Sequence, residues 1–205
     1  MFIHNVEQGT REWLDLRRKH ISATDIAKLA GLAGYTEKMF CKSMQQFIEE
    51  KTGEPKAIDN AFTKWGSERE STILAKFNKR FGCNCQPLVA SNGELLSSFD
   101  GIDIDKKTIV EVKTTNLDGK TPLDLKELLS YYSVQVLAQL TVATNDWDYN
   151  CYLAVEHRGG AYGNFKAGAT LYYSIDFNVD ESLILIMEID NPFAEPIKLK
   201  MPNID

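Results

Sequence analysis

Residues Thr108-Ile109-Val110-Glu111-Val112-Lys113-Thr114 leave the chain few options. With a period of two, Glu111 and Lys113 fall on one face of a strand while Val110 and Val112 enter the core. A carboxylate and an ammonium are thereby fixed side by side on a sheet. The preceding stretch Ser97-Ser98-Phe99-Asp100-Gly101 reads as a second strand, and Gly101-Ile102-Asp103-Ile104-Asp105-Lys106-Lys107 is polar enough for a turn or short extension that runs it back beside the first. Asp100 and Glu111 then converge on one point.

Hard divalent cations take oxygen ligands, so Asp100, Glu111 and the main-chain carbonyl of Val112 form a set suited to Mg²⁺, with Mn²⁺ as a substitute. A cation there acidifies a water and stabilises charge on an attacked phosphate; Lys113 is placed to orient or deprotonate that water or to steady the transition state. The competing reading of the spacing alone is a surface hairpin with three solvated charges, since short acid-x-lysine matches are common.

Two flanking segments add to the hairpin. From Ala61 to Phe81 the residues Trp65, Ile73, Leu74, Phe77 and Phe81 recur at helical spacing and Gly82 stops the run. Inside it, Gly66 in Trp65-Gly66-Ser67-Glu68-Arg69-Glu70 predicts either close backbone approach or a helix start, because glycine within a helix costs about 1 kcal/mol against alanine. Later, Leu125, Leu128, Leu129, Tyr132, Val136 and Leu140 trace an amphipathic helix carrying Gln135 and Gln139, whose amides would reach a phosphate or a metal-held water.

Taken together these motifs resemble the PD-(D/E)XK nuclease superfamily and, within it, the YqaJ-type viral recombinases and the phage lambda exonuclease family. The resemblance starts at Val6-Glu7-Gln8-Gly9-Thr10-Arg11-Glu12-Trp13-Leu14-Asp15-Leu16-Arg17 and Ile21-Ser22-Ala23-Thr24-Asp25. It continues through Trp65-Gly66-x-x-x-Glu70, Asp100-Gly101, Glu111-x-Lys113 and Tyr132-x-x-Gln135. Phe99 stands where the superfamily's eponymous proline would be, a position that does not touch the metal chemistry.

The resemblance implies a restriction-endonuclease-like α/β (α+β) fold, with a central mixed sheet flanked by helices and the N-terminal helices first. Length and composition agree with a single nuclease domain over residues 1–205. Asp100, Glu111 and the Val112 carbonyl would hold the metal, Glu70 would support it indirectly or at a second site, Lys113 would assist the water, and Gln135 would complete the catalytic set. Arg17, with hydroxyls at Thr24 and Ser98, would receive a terminal DNA 5′-phosphate, a role that the planar guanidinium fork suits independently. The implied activity is a Mg²⁺-dependent 5′ to 3′ exonuclease on double-stranded DNA ends, leaving 3′ tails for a single-strand annealing protein. A trimeric ring and action in the cytoplasm of a bacterial or phage-infected cell complete that picture. The alternatives are an endonuclease on the same metal core and a non-catalytic DNA-binding or assembly subunit.

Composition bears on these expectations at two points. The formal charge is 23 − 29 = −6, an unusual balance for a DNA-binding chain, but an acid-built site is offset by its metal, and Arg17-Arg18-Lys19 and Lys106-Lys107 supply local positive charge. The cysteines Cys41, Cys83, Cys85 and Cys151 match neither the iron-sulfur arrangement of some relatives nor a zinc spacing, so neither cofactor is expected and reduced, buried thiols are. No apolar run is long enough for a membrane span, and the start Met1-Phe2-Ile3-His4-Asn5 has no secretory pattern. His4, His20 and His157 lack ligand spacing, and Trp13 and Trp65 read as core anchors.

For the remaining chain, Ser22 is a helix cap with Asp25 three residues on and Gly31 closes that helix. Phe40, Met44, Phe47 and Ile48 mark a helix ending near Gly53. Strands are expected from Gln86 to Ala90, Leu95 to Phe99, Ile109 to Thr114, Asp148 to Val155 and Thr170 to Phe177. Residues 183–187 have strand propensity but an acidic start, and the family resemblance inclines them to helix. The glycine-rich stretch 158–168 is expected to be a mobile loop.

Overall fold

Strand alternation in the middle of the chain builds one mixed sheet, and the apolar helix faces cover both its sides. The structure is a computed structural model that describes residues 1–36, 38, 40–53, 61–115, 122–146, 148–157, 170–176, 184–189 and 198–200. In chain order the elements are β1 (Phe2–His4), α1 (Arg11–Lys19), β2 (Ile21–Ser22), α2 (Ala23–Leu32), α3 (Met44–Thr52), α4 (Ala61–Phe81), β3 (Gln86–Asn92), β4 (Leu95–Asp103), β5 (Thr108–Thr115), α5 (Pro122–Ala143), β6 (Asn150–His157), β7 (Thr170–Asp176), β8 (Ile184–Ile189) and β9 (Lys198–Lys200). The expected α/β class with a mixed sheet and helices first is what forms.

Local chemistry sets the helix ends. Thr10 caps α1 by accepting from the Trp13 N–H, and Arg17, Arg18 and Lys19 lie in its last turn, where the helix dipole favours cations. Ser22 and Asp25 form a complete capping box at the start of α2. That helix runs one residue past Gly31, so Gly31 does not end it. The left-handed residue that follows is Gly34, at φ 88°. Gly82, at φ 63°, follows α4 directly. Phe40 lies outside α3, exposed, with its ring 5.1 Å from that of Tyr131.

The sheet order is β1-β3-β4-β5-β6-β7-β8-β9, with β2 beside β4. β5 and β6 are parallel, joined through α5, while β3-β4-β5 and β6-β7-β8-β9 are antiparallel ladders. Residues 184–189 form strand β8, paired from Leu171↔Ile189 to Asp176↔Ile184, so the helix expected over 183–187 is not found. The β-branched and long apolar residues there follow their strand propensity, and ladder hydrogen bonds to β7 outweigh the acidic start. The glycine-rich stretch 158–168 lies outside the described residues.

Two apolar cores separate the layers. On one face α2 and α5 meet the sheet through Ala27, Leu129, Val136 and Leu140 against Phe99, Ile109, Leu153 and Tyr173. On the other, Ile73, Leu74 and Phe77 of α4 pack on Val110, Val112, Ala154 and Tyr172. Trp13 is in neither core; it is half-buried and hydrogen-bonded, which corrects its reading as a core anchor. The Trp65 side chain is outside the description. Cys85 and Cys151 sit in opposite cores, and Cys83 is only half-buried, against the expectation of four buried thiols. No helix among the described residues is long and apolar enough to cross a membrane.

Two irregularities in β4 position the site. Against β3, Gln86 and Leu88 pair with Ile102 and Phe99, so two steps on β3 match three on β4 and the extra residue lies at Asp100-Gly101. Such a bulge turns a side chain out of strict alternation. On its other edge β4 pairs with β2 only at Leu95 and Leu96, and with β5 only from Gly101 to Asp103. Residues 97–100 therefore border an opening in the sheet between β2 and β5.

Gly101 is required by close approach. A Cβ there would meet Leu74 Cδ1 at 2.6 Å, Val110 Cγ1 at 2.8 Å and Cys85 Cβ at 3.0 Å. Gly101→Ala should therefore destabilise the protein by about 1–3 kcal/mol, the usual cost of overpacking. Urea unfolding would measure it, and an unchanged midpoint would show that α4 is not pressed against β4 here.

Candidate active site

The sheet opening gathers the acids. Asp100 Oδ2 accepts the Val112 N–H at 2.8 Å, replacing the ladder partner that β4 no longer offers at that level. A strand residue's N–H and C=O point to the same side, so the Val112 carbonyl faces the same opening. Glu111 and Lys113 share a strand face, as their spacing requires, and the Lys113 ammonium bridges the two acids: it lies 3.5 Å from Asp100 Oδ2 and pairs with Glu111 Oε1. The aromatic face of Tyr132 lies 5.2 Å from the same ammonium.

Glu111 is 1% exposed, and two amides of α5 hold it. Gln135 Nε2 donates to Oε1 at 2.5 Å, and Gln139 Nε2 donates to Oε2. The two glutamines are one helical turn apart on one face, which lets both reach a single carboxylate. Sequence reasoning placed Gln135 in the set but pointed both amides at a phosphate or a metal-held water; they aim Glu111 instead. Gln139 was legible as a second glutamine on the same helix face.

Glu70 approaches from α4. Gly66 lies one turn earlier on that helix, where a Cβ would stand 3.4 Å from Thr114 Oγ1, an ordinary van der Waals contact. That distance does not require glycine, so close approach does not account for Gly66, and neither does a helix start, since α4 begins at Ala61. Glu70 has no hydrogen bond or ion pair among the described residues, yet its charge interacts with Asp100, Lys113 and Glu111. Burial first, then Asp100, push Glu70 up to about 7 against the pull of Lys113. Burial and then Asp100 likewise push Glu111 up to about 7, opposed by Lys113 and the Gln139 amide. Burial would lower Lys113, but Asp100 and Glu111 outweigh it and hold the ammonium well above its ordinary value. In this arrangement Lys113 stays a donor.

This donor set fits a divalent cation. Three carboxylates face one ammonium, repel one another and raise two of their own pKa values, while Asp100 Oδ1 and both Glu70 oxygens accept no hydrogen bond among the described residues. Asp100, Glu111 and the Val112 carbonyl would hold the ion, with Glu70 supporting it indirectly or at a second site. Among the described residues, no three histidine, cysteine or carboxylate groups close into a preformed metal cage. Lys113 occupies the space between the acids instead.

Of the three residues assigned to a terminal phosphate, Arg17, Thr24 and Ser98, Ser98 lies on the stretch of β4 that borders the opening. Trp13 links two of them: its indole N–H donates to Ser98 Oγ at 2.7 Å, and the Arg17 guanidinium lies over its ring at 4.7 Å. Because an indole can only donate, the Ser98 hydroxyl keeps its own proton for an incoming acceptor. Arg17 Nη2 reaches Ser22 Oγ at 3.4 Å, and its charge interacts with Asp25 and Glu111. Thr24 lies in the first turn of α2 and, among the described residues, makes no hydrogen bond to Arg17 or Ser98. Gln8 was quoted in the opening motif without a role; its amide donates to the Phe99 carbonyl at 3.0 Å, filling a rung of the broken ladder.

Of the basic runs, Lys106 and Lys107 lie in the β4-β5 turn, at the far end of β5 from Lys113. Lys107 is paired with Asp148. Arg18 donates to the Gly53 carbonyl at 2.6 Å.

A family model described as the YqaJ-like viral recombinase domain matches residues 12–146. Among solved structures the chain is similar to the alkaline exonuclease LHK-Exo from Laribacter hongkongensis, at 18% identity and a TM-score of 0.50, over 72% of this chain and 74% of that one. LHK-Exo in complex with dAMP matches at 16% identity and a TM-score of 0.48, over 72% and 74%. A phage related exonuclease from Haemophilus somnus 129PT matches at 14% and 0.43, over 76% and 62%. No curated protein matches.

The raised carboxylates have a thermodynamic consequence. Unfolded, Glu70 and Glu111 ionise near 4.5; folded, they keep their protons up to about 7. The stability they contribute is whole below pH 4.5 and is lost as the pH rises to about 7. In chelator, thermal denaturation should show melting temperature falling across that window, and Glu70→Gln should flatten part of the slope. Identical slopes in both proteins would mean that Glu70 does not feel the other acids.

Proposed function

The chain belongs to the YqaJ-like viral recombinase domain family, and from that premise we propose that it is a DNA nuclease whose Asp100, Glu111, Lys113 and Glu70 hydrolyse phosphodiester bonds with a divalent cation, Mg²⁺ or Mn²⁺. The observation that carries this reading is the Lys113 ammonium bridging Asp100 and the buried Glu111 at a single opening in the sheet. A surface hairpin would leave those charges solvated, whereas Glu111 is buried and clamped by two amides.

When bound, the cation supplies charge neutralisation at the attacked phosphate and a more acidic water. The residues do the rest. Asp100, Glu111 and the Val112 carbonyl would give oxygen ligands, Glu70 would support them indirectly or at a second site, and Gln135 and Gln139 keep Glu111 in place. Lys113, released from bridging the acids, donates to the attacking water or to a phosphate oxygen, holding charge that develops in the transition state.

Arg17 and the hydroxyls of Thr24 and Ser98 supply the end-recognition half of the proposal. A guanidinium stacked on Trp13 and a hydroxyl with a spare proton suit a terminal 5′-phosphate beside the acids. That proximity supports a 5′ to 3′ exonuclease on double-stranded ends, with 3′ single-stranded tails as product and a single-strand annealing protein as the consumer of those tails. A homotrimeric ring and a cytoplasmic site of action follow from the same family likeness.

With Mg²⁺ the protein should shorten end-labelled linear duplex from its 5′ ends, leave covalently closed circles intact, and do neither in chelator. Prompt cutting of circles would instead establish an endonuclease. Lys113→Ala should lower turnover by about 10²-fold or more in protein that circular dichroism shows to be folded at the assay temperature; retained cleavage would reject its role. Arg17→Gln should equalise rates on 5′-phosphorylated and 5′-hydroxyl ends, and an undiminished preference would remove Arg17 from the pocket.

A further inference from the structure

Lys51, on α3, fits none of the roles above, yet its ammonium is the busiest donor near the proposed phosphate pocket. It donates to the Arg17 carbonyl at 2.6 Å, to the His20 carbonyl at 2.5 Å and to Asp25 Oδ2 at 2.5 Å. The first two are carbonyls at the C-terminal end of α1, where a cation also meets the negative end of the helix dipole. The third is the acid of the α2 capping box, which also accepts the Ser22 N–H at 2.9 Å. One side chain thus ties together the end of α1, the start of α2 and α3. The pair is largely enclosed, with Lys51 18% and Asp25 10% exposed.

The electrostatic consequence falls on Arg17. Asp25 is near enough for its charge to act on Arg17, and a carboxylate beside a guanidinium ordinarily closes into a bidentate pair. Here it does not. Among the described residues no carboxylate lies within ion-pair distance of Arg17, whose guanidinium rests on Trp13 and touches only the Ser22 hydroxyl. The Asp25 oxygen that holds Lys51 is committed to it and to the cap. A cation already paired with an internal carboxylate has little left for an external anion, so the Lys51–Asp25 pair matters to what Arg17 can bind.

We propose that Lys51 is a positioning residue for anion recognition: by neutralising Asp25 and pinning the α1–α2 junction through two carbonyls, it keeps the Arg17 guanidinium unpaired and aimed at the opening. This rests on the 5′-phosphate reading of Arg17 given above, and Lys51 itself does not touch the DNA. Without Lys51, Asp25 becomes the nearest uncompensated charge and draws Arg17 off Trp13. The pocket would then be filled from within.

The test is cleavage of linear duplexes with 5′-phosphate or 5′-hydroxyl ends by the wild type, Lys51→Met, Lys51→Arg, Arg17→Gln and the double variant Lys51→Met/Asp25→Asn. Lys51→Met should lower the 5′-phosphate preference about tenfold or more through KM, with kcat on 5′-hydroxyl ends unchanged. Lys51→Arg should keep the preference, and Asp25→Asn added to Lys51→Met should recover much of it, because the competing carboxylate is gone. A merely structural lysine would not be rescued by neutralising its partner.

Preference retained in Lys51→Met, or a double variant no better than the single one, overturns the inference. If Lys51→Met loses activity on both kinds of end, the double variant decides: recovery by Asp25→Asn upholds the charge argument and no recovery overturns it. The two readings fail differently. A wild type with no end preference sinks the phosphate pocket and this inference with it, whereas a preference abolished by Arg17→Gln but untouched by Lys51→Met sinks this inference alone.

Discussion

The rest of the structure depends on the burial of the Glu111 carboxylate. An ionised group removed from water costs several kcal/mol unless charge and hydrogen bonds replace its hydration. Here the replacements come from three directions: Gln135 and Gln139 from α5, and Lys113 from the same strand. That requirement fixes the rotation of α5 about its axis and its height above β5. It also explains why a helix with an apolar face toward the sheet carries two buried amides within it.

Around that carboxylate, an incomplete sheet becomes a site. β4 is shared between β2 at one end and β5 at the other, so the edge between them has no strand neighbour. Side chains satisfy it instead, Gln8 at the Phe99 carbonyl and Asp100 at the Val112 N–H. The bulge at Asp100-Gly101 and the missing side chain of Gly101 let β4 do this while α4 stays pressed against it. Asp100 and Ser98 are thus close because both border one gap, with Trp13 spanning from Ser98 to Arg17.

Much of this was legible along the chain. The hairpin, the helix over 61–81, the helix traced from Leu125 to Leu140, the capping box at Ser22 and the convergence of Asp100, Glu111 and Lys113 all follow from periodicity and local hydrogen bonding. Other features were hidden because they are set by contacts between distant segments. Nothing in Ser98-Phe99-Asp100-Gly101 marks a bulge, since the extra residue exists only relative to β3. Two residues, Ile21 and Ser22, form a parallel strand only because β4 is there to receive them. Lys51 and Gln8 are ordinary surface-type residues until the fold delivers carbonyls and a carboxylate to them. At 183–187 the family likeness was set above strand propensity, and the propensity prevailed.

The central claim is that three mutually repelling carboxylates and one lysine form a single cation site. Titration of Mn²⁺ into the purified protein, followed by electron paramagnetic resonance of the free ion, tests this without relying on turnover. The account predicts saturable binding that Asp100→Asn abolishes and that tightens as the pH rises through about 7, where Glu70 and Glu111 lose their protons. Binding that is absent, or equally strong in Asp100→Asn, would contradict it.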